Sequence, residues 1–262
     1  MVQLSIDNGF VPNATLLPAL DESLLKGKRH LTEDEIGVLS RANVNADPSW
    51  QNVWVDEAGF DPLLVRGAEI RGYLVLGRLR ATSLKYHDLV LEAGVYNSCL
   101  ENIVLGADCV ELTEANHKKS CDTHGFVGSH SVIKNTTLLK DVLIGENAYI
   151  KGAFKLKNIT VCSSIDEPSQ IGEGVELVNG IVGYGCHIFY QAVAVRFVIG
   201  RNCQLKYGAR LLNSVLGDNS TVSCCELLNN LIFPFHEQHH NSSFLIATTV
   251  MGQSNIAAGA TI

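Results

Sequence analysis

Glycine recurs at a fixed interval through the second half of this chain. Gly128 and Gly145, Gly183 and Gly200, and Gly200 and Gly217 are each 17 residues apart. A repeat of that size marks a solenoid, in which each repeat is one turn stacked on the previous one. Five rows set in register on these glycines agree in other columns. The fourth position is small: Ser131, Ala148, Cys186, Cys203, Ser220. The sixth is aliphatic: Ile133, Ile150, Ile188, Leu205, Val222. The twelfth is Leu139, Leu156, Ala194, Leu211, Leu228, and the fifteenth Val142, Ile159, Phe197, Ser214, Leu231. The seventeenth is Ile144, Val161, Ile199, Leu216, Phe233. The tenth is weakest: Thr137, Phe154, Ala192, Ala209, Glu226.

These positions fall into pairs two residues apart, and residues two apart on a strand share a face. Three short strands per turn, each sending two side chains inward, make a three-sided tube. An α-solenoid needs longer repeats and a 3.6-residue period. Asn147, Asn202 and Asn219 stand at position three, and Asp141, Asn158, Asn213 and Asn230 at position fourteen. Gly and Asn tolerate the positive φ of a sharp corner. The register breaks between Gly106 and Gly128, at an insertion over residues 163–170, and between Gly217 and Gly252. The expected fold is all-β: a parallel β-helix over 67–262 behind a short irregular, partly helical cap over 1–66. Thr32 and Glu35 have capping-box spacing ahead of a short helix in that cap. The final residues, Ala260-Thr261-Ile262, fall in mid-coil, which reads as a truncation or as an open end covered by a partner.

Composition narrows the function classes. Apolar residues are 46% and charged residues 18% of the chain, as in packed proteins. A net charge of −7 leaves no basic footprint for nucleic acid. No apolar run reaches membrane-spanning length, and residues 1–10 lack the features of a signal peptide. A cytoplasmic setting follows, with the eight cysteines as thiols. Cys186 and Cys203 share a column and are expected to stack in the core. Cys225 is expected outward or at a corner.

An aliphatic residue, then Gly, then a small residue three later, stands here as Leu105-Gly106 with Cys109, Ile144-Gly145 with Ala148, Ile199-Gly200 with Cys203, and Leu216-Gly217 with Ser220. The pattern resembles the hexapeptide repeat of the trimeric left-handed β-helix superfamily of acyltransferases and sugar-nucleotide enzymes. Met251-Gly252 with Asn255 departs from it. The resemblance, not the periodicity, supplies the left-handed sense. It implies a homotrimer and an acyl-CoA co-substrate. Leu31 to Ile36, Phe60-Asp61-Pro62 and Phe235 to Phe244 are similar to an uncharacterised family of large bacterial hexapeptide-repeat proteins. That family brings no activity with it.

The densest chemistry lies in Phe235-His236-Glu237-Gln238-His239-His240-Asn241. Counting 17 on from Gly217 puts His239, or His240 after a one-residue shift, at the inward sixth position. A buried polar ring there needs a partner. Its functional reading is a general base for acyl transfer, with His239, His236 and His240 as candidates and Asn241 as a substrate contact. The alternative is a polar bulge with no chemistry. The spacing is not a zinc motif, and His236 and His239 point to opposite sides of a strand, so no metal is expected. A second region, 116–125, offers Lys118 and Lys119 for a phosphate, and Asp122 and His124 for proton transfer or orientation; its alternative is a solvated loop. Three functions stay open: an acyl- or acetyltransferase acting on a sugar or nucleotide sugar, a non-catalytic scaffold or oligomerisation module, and a sugar-nucleotide-binding module without turnover.

Overall fold

A computed structural model describes residues 17–18, 20, 24–86, 89–112, 114–116 and 123–262. Most of its strands pair in parallel, coil on coil, as a β-solenoid of about 10 turns, with antiparallel pairing at Leu17–Pro18, at Lys28–His30 and between Ser83–Tyr86 and Leu89–Glu92. One face of the tube is a 10-stranded sheet with one strand from each coil. The other two faces are joined, because strands such as Lys155–Val161 and Val193–Ile199 run through both. They bend at the fourteenth-position corner, where Asp141, Asn158, Asn179, Arg196 and Asn213 all have positive φ. Side chains bond up this corner: Asn158 Nδ2 donates to Asn179 Oδ1 at 2.9 Å, and Asn213 Nδ2 to Asn229 Oδ1 at 3.0 Å.

The inside is a set of ladders. Ile133, Ile150, Ile171, Ile188, Leu205 and Val222 are all 0% exposed in one of them. Each such side chain contributes roughly 1.5–3 kcal/mol of burial. Position four is small because it does two jobs between coils. Ser131 Oγ donates to Gly145 O at 3.0 Å, and Cys186 Sγ to Gly200 O at 2.9 Å. Ser131 Oγ also accepts the amide of Ala148, one coil on, at 3.1 Å. The glycines at position one serve close approach, not positive φ. A Cβ on Gly183 would lie 2.5 Å from the carbonyl oxygen of Gly200.

The expected columns need three corrections. Residues 163–182 are a full coil as well as an insertion. Leu177 pairs with Leu156, and Gly180 takes position fifteen opposite Phe197. Gly180 hides the repeat because an aliphatic side chain has no room there: its Cβ would sit 2.5 Å from the Phe197 ring. Second, Thr137 and Phe154 turn outward, and Thr136 and Ala153 face in instead. Third, the coil from Gly217 is one residue short at the Cys224 corner. Leu211 pairs with Leu227 and Leu216 with Ile232, so Leu228, Leu231 and Phe233 leave the interior columns. Cys225, expected outward or at a corner, directly follows the Cys224 corner and is buried, at 6% exposure.

The helix Glu33–Arg41 has the expected capping box, with Thr32 accepting from the Glu35 amide. Arg29 clamps the same Glu35 at 2.7 and 2.8 Å. The parallel ladder reaches upstream of residue 67, since Asn45–Asp47 and Val53–Asp56 both pair with Glu69–Leu76. None of the described helices is long and apolar enough to cross a membrane.

Candidate functional site

The histidine-rich segment is laid on the short coil. Thr221 pairs with Glu237 and Val222 with Gln238. Alternation then sends His236 and Gln238 in and Glu237 and His239 out. The expectation that His239 or His240 holds the aliphatic position is corrected by this register. Gln238 takes it, because the coil loses a residue at Cys224. His236 takes the small fourth position, above Ser220, whose hydroxyl accepts the His236 amide at 3.1 Å.

His236 and Gln238 are both 0% exposed. Their polar atoms form a closed chain. Ser254 Oγ lies 2.8 Å from His236 Nδ1, and Gln238 Oε1 lies 3.0 Å from His236 Nε2. Gln238 Nε2 donates to Ser243 Oγ at 2.9 Å, and Ser243 Oγ donates to the His240 carbonyl at 3.1 Å. An amide oxygen only accepts, so His236 carries its proton on Nε2 and accepts from Ser254 at Nδ1. Burial holds its pKa below the usual histidine range, against the opposing pull of Gln238 and Glu237. Both ring nitrogens are therefore committed inside the tube.

The outer face is different. His239 Nδ1 lies 3.6 Å from Glu237 Oε2, and both side chains are 45% exposed. The His240 ring centroid is 4.4 Å from that of His239. A carboxylate beside Nδ1 orients an imidazole and leaves Nε2 free to take a proton. Asn241 is exposed and lines a neighbouring groove with Tyr207, Arg210, Cys224, Glu226 and Phe244.

The second region does not join this site. Lys118, Lys119 and Asp122 lie outside the described residues. His124 belongs to the strand Thr123–Val127, whose Val127 pairs with Ile144. Six coil steps separate that strand from Ile232 on the histidine-rich side, roughly 30 Å at sheet spacing. Among the described residues, no group of three or more His, Cys, Asp or Glu side chains is arranged to hold a metal. Cys186 and Cys203 stack in the core, at 0% and 1% exposure. Local reading overlooked Tyr190 and Tyr207. Their signal was present: two aromatic residues one period apart at a corner.

Residues 110–261 match the family described as "Domain of unknown function (DUF4954)". A Treponema pallidum (strain Nichols) protein described as "Uncharacterized protein" is 39% identical over 322 residues, covering 89% of this chain and 44% of the relative. The chain thus spans less than half the length of that relative. A crystallised Desulfovibrio desulfuricans G20 protein, provisionally described as an acetyltransferase, aligns over 84% of this chain and 64% of its own at 10% identity and a TM-score of 0.23. At that TM-score the likeness carries no weight for fold or function.

Proposed function

The chain belongs to the DUF4954 family, and we propose that it is an acyltransferase-like β-helix protein of the hexapeptide-repeat type. In this reading His239 is the general base, the acyl donor is an acyl-CoA, and the acceptor is a hydroxyl or amine of a sugar or nucleotide sugar. The observation that carries it is the exposed Glu237–His239 pair on a rigid coil. Glu237 stands beside Nδ1 of His239 at 3.6 Å, which leaves Nε2 on the far side of the ring. Nε2 takes the acceptor's proton as its oxygen or nitrogen attacks the thioester carbonyl. The C–S bond then breaks, and the leaving thiolate receives the proton from His239. Backbone amides at the corner steady the oxyanion.

A left-handed sense, a homotrimer built on the flat outer faces, and a cytoplasmic setting belong to this reading. A scaffold without turnover is the competing reading. It is favoured by one observation: the hydrogen-bond partners of the buried His236 all belong to its own tube.

The test is acyl-CoA binding by calorimetry, together with thiol release in the presence of sugar acceptors, on the full protein. Transfer that disappears in His239→Ala supports the enzyme. Absence of acyl-CoA binding, or an unchanged rate in His239→Ala, would leave the scaffold.

A further inference from the structure

The corner beside His239 carries an aromatic ladder that the acyl-transfer chemistry does not use. Tyr190 and Tyr207 stack with centroids 5.1 Å apart and planes 12° from parallel. They are 49% and 58% exposed, so neither ring is buried core. Both have φ of +54°, a conformation that bulky side chains rarely take. Asn97, Asn135 and Gly152 meet the same demand at this position in earlier coils. A strained backbone holding an exposed aromatic ring points towards function rather than packing.

Tyr207 is also a wall of the groove that continues up the corner. Tyr190 covers one face of its ring, and the groove lies beyond it. Gly208 forms part of the floor, where an added Cβ would meet nothing within 4 Å. Arg210 and Glu226 stand in register on adjacent strands, so their charges offset each other along one wall. Asn241 and Ser242 close the upper end with neutral donors and acceptors. This groove encloses about 430 Å³; a separate cleft of about 470 Å³, where Arg201 faces Asp166, Glu167 and Asp218, has an acidic excess and no tyrosine in its lining.

We propose that this groove binds a neutral oligosaccharide, with one sugar ring lying on Tyr207 and its hydroxyls bonded to Arg210, Glu226 and Asn241. An aromatic face takes the C–H side of a sugar, and paired donors and acceptors take its hydroxyls. A nucleotide diphosphate is disfavoured, because Glu226 cancels the positive charge it would need. The proposal rests on the previous reading only in treating the sugar as the acyl acceptor; the binding itself stands apart from turnover.

The experiment is an array of neutral gluco-, galacto-, manno- and N-acetylglucosamine oligosaccharides probed with the full protein. Calorimetric titration of the strongest member follows, with UDP as competitor. Binding is expected, and Tyr207→Asn should weaken it by about tenfold or more. Asn suits the positive φ, so the same variant should melt at or above the wild-type temperature. Tyr207→Trp should retain binding, and bound sugar should slow alkylation of Cys224. His239→Ala should bind as wild type; loss of transfer alone there would bear on the previous reading and not on this one. An array without any binder, wild-type affinity in Tyr207→Asn, or displacement of the sugar by UDP would overturn the groove's assignment.

Discussion

His236 Nε2 and Gln238 Oε1 lie 3.0 Å apart inside the tube, at two positions where the coil below has Ser220 and Val222. The pair replaces a small-plus-aliphatic rung by one with two large polar side chains. Its atoms are satisfied by Ser254 above and Ser243 at the next corner. Removing one partner leaves the other buried and unbonded, which costs about 1–3 kcal/mol. Gln238→Ile alone should therefore destabilise by that amount in urea. His236→Ser together with Gln238→Ile gives a small-plus-aliphatic rung like that of the coil below and should recover most of the loss. Simple additivity in this double-mutant cycle would show that the two side chains do not act as one unit.

The same rung should make stability depend on pH. His236 is held neutral, with its folded pKa below that of the unfolded chain. Below the unfolded value of about 6.5 the unfolded state binds the extra proton first. Stability is then complete above that pH and falls as the pH drops towards the folded value, by at most about 1.4 kcal/mol per pH unit. Urea midpoints between pH 7.5 and 5 should trace this limb. His236→Ser should flatten it, and an unchanged slope in that variant would place the titrating group elsewhere.

Gly180 tests the packing of the coil hidden in the sequence. Its missing side chain is filled by the Phe197 ring from the next coil. Gly180→Ala should destabilise by about 1–3 kcal/mol through overpacking. Phe197→Leu should cost less in the Gly180→Ala background than in the wild type. Thermal melts of the four proteins decide this, and a neutral Gly180→Ala would mean the two coils are not stacked in this register.

Much of this tube was legible because ladders of like residues repeat at the coil length. The small column through Ser131, Cys186 and Cys203 and the aliphatic column through Ile133, Ile188 and Leu205 read directly as interior. So did the helix cap at Thr32 and Glu35. The register failed where the chain is apolar in both alternations. Leu227-Leu228 and Leu231-Ile232-Phe233 offer an inward residue whichever way the strand turns. Losing one residue at Cys224 then exchanged inside for outside. His239 moved from core to surface by that single step, and Gln238 moved in. The groove was harder to see, because Tyr207, Glu226 and Asn241 come from three successive coils and carry no local pattern. Only Asn241 was marked from the sequence.

Position one offers a check on why the glycines recur. Gly183 lies against the backbone of Gly200, so any Cβ must push two coils apart. Gly183→Ala should lower stability in urea by more than Gly208→Ala. Gly208 has open space around it and is limited only by its φ of +71°. The reverse order would mean that conformation, not contact, selects glycine here.

The division of labour between the inner and outer histidines is tested most directly by transfer rate and melting temperature in two variants. His239→Ala should reduce acyl transfer by about 10²–10⁴-fold, the range of a lost general base, and leave the melting temperature unchanged. His236→Ala should lower the melting temperature and leave the transfer rate of the folded fraction near wild type. Activity that survives in His239→Ala but disappears in folded His236→Ala would contradict the account.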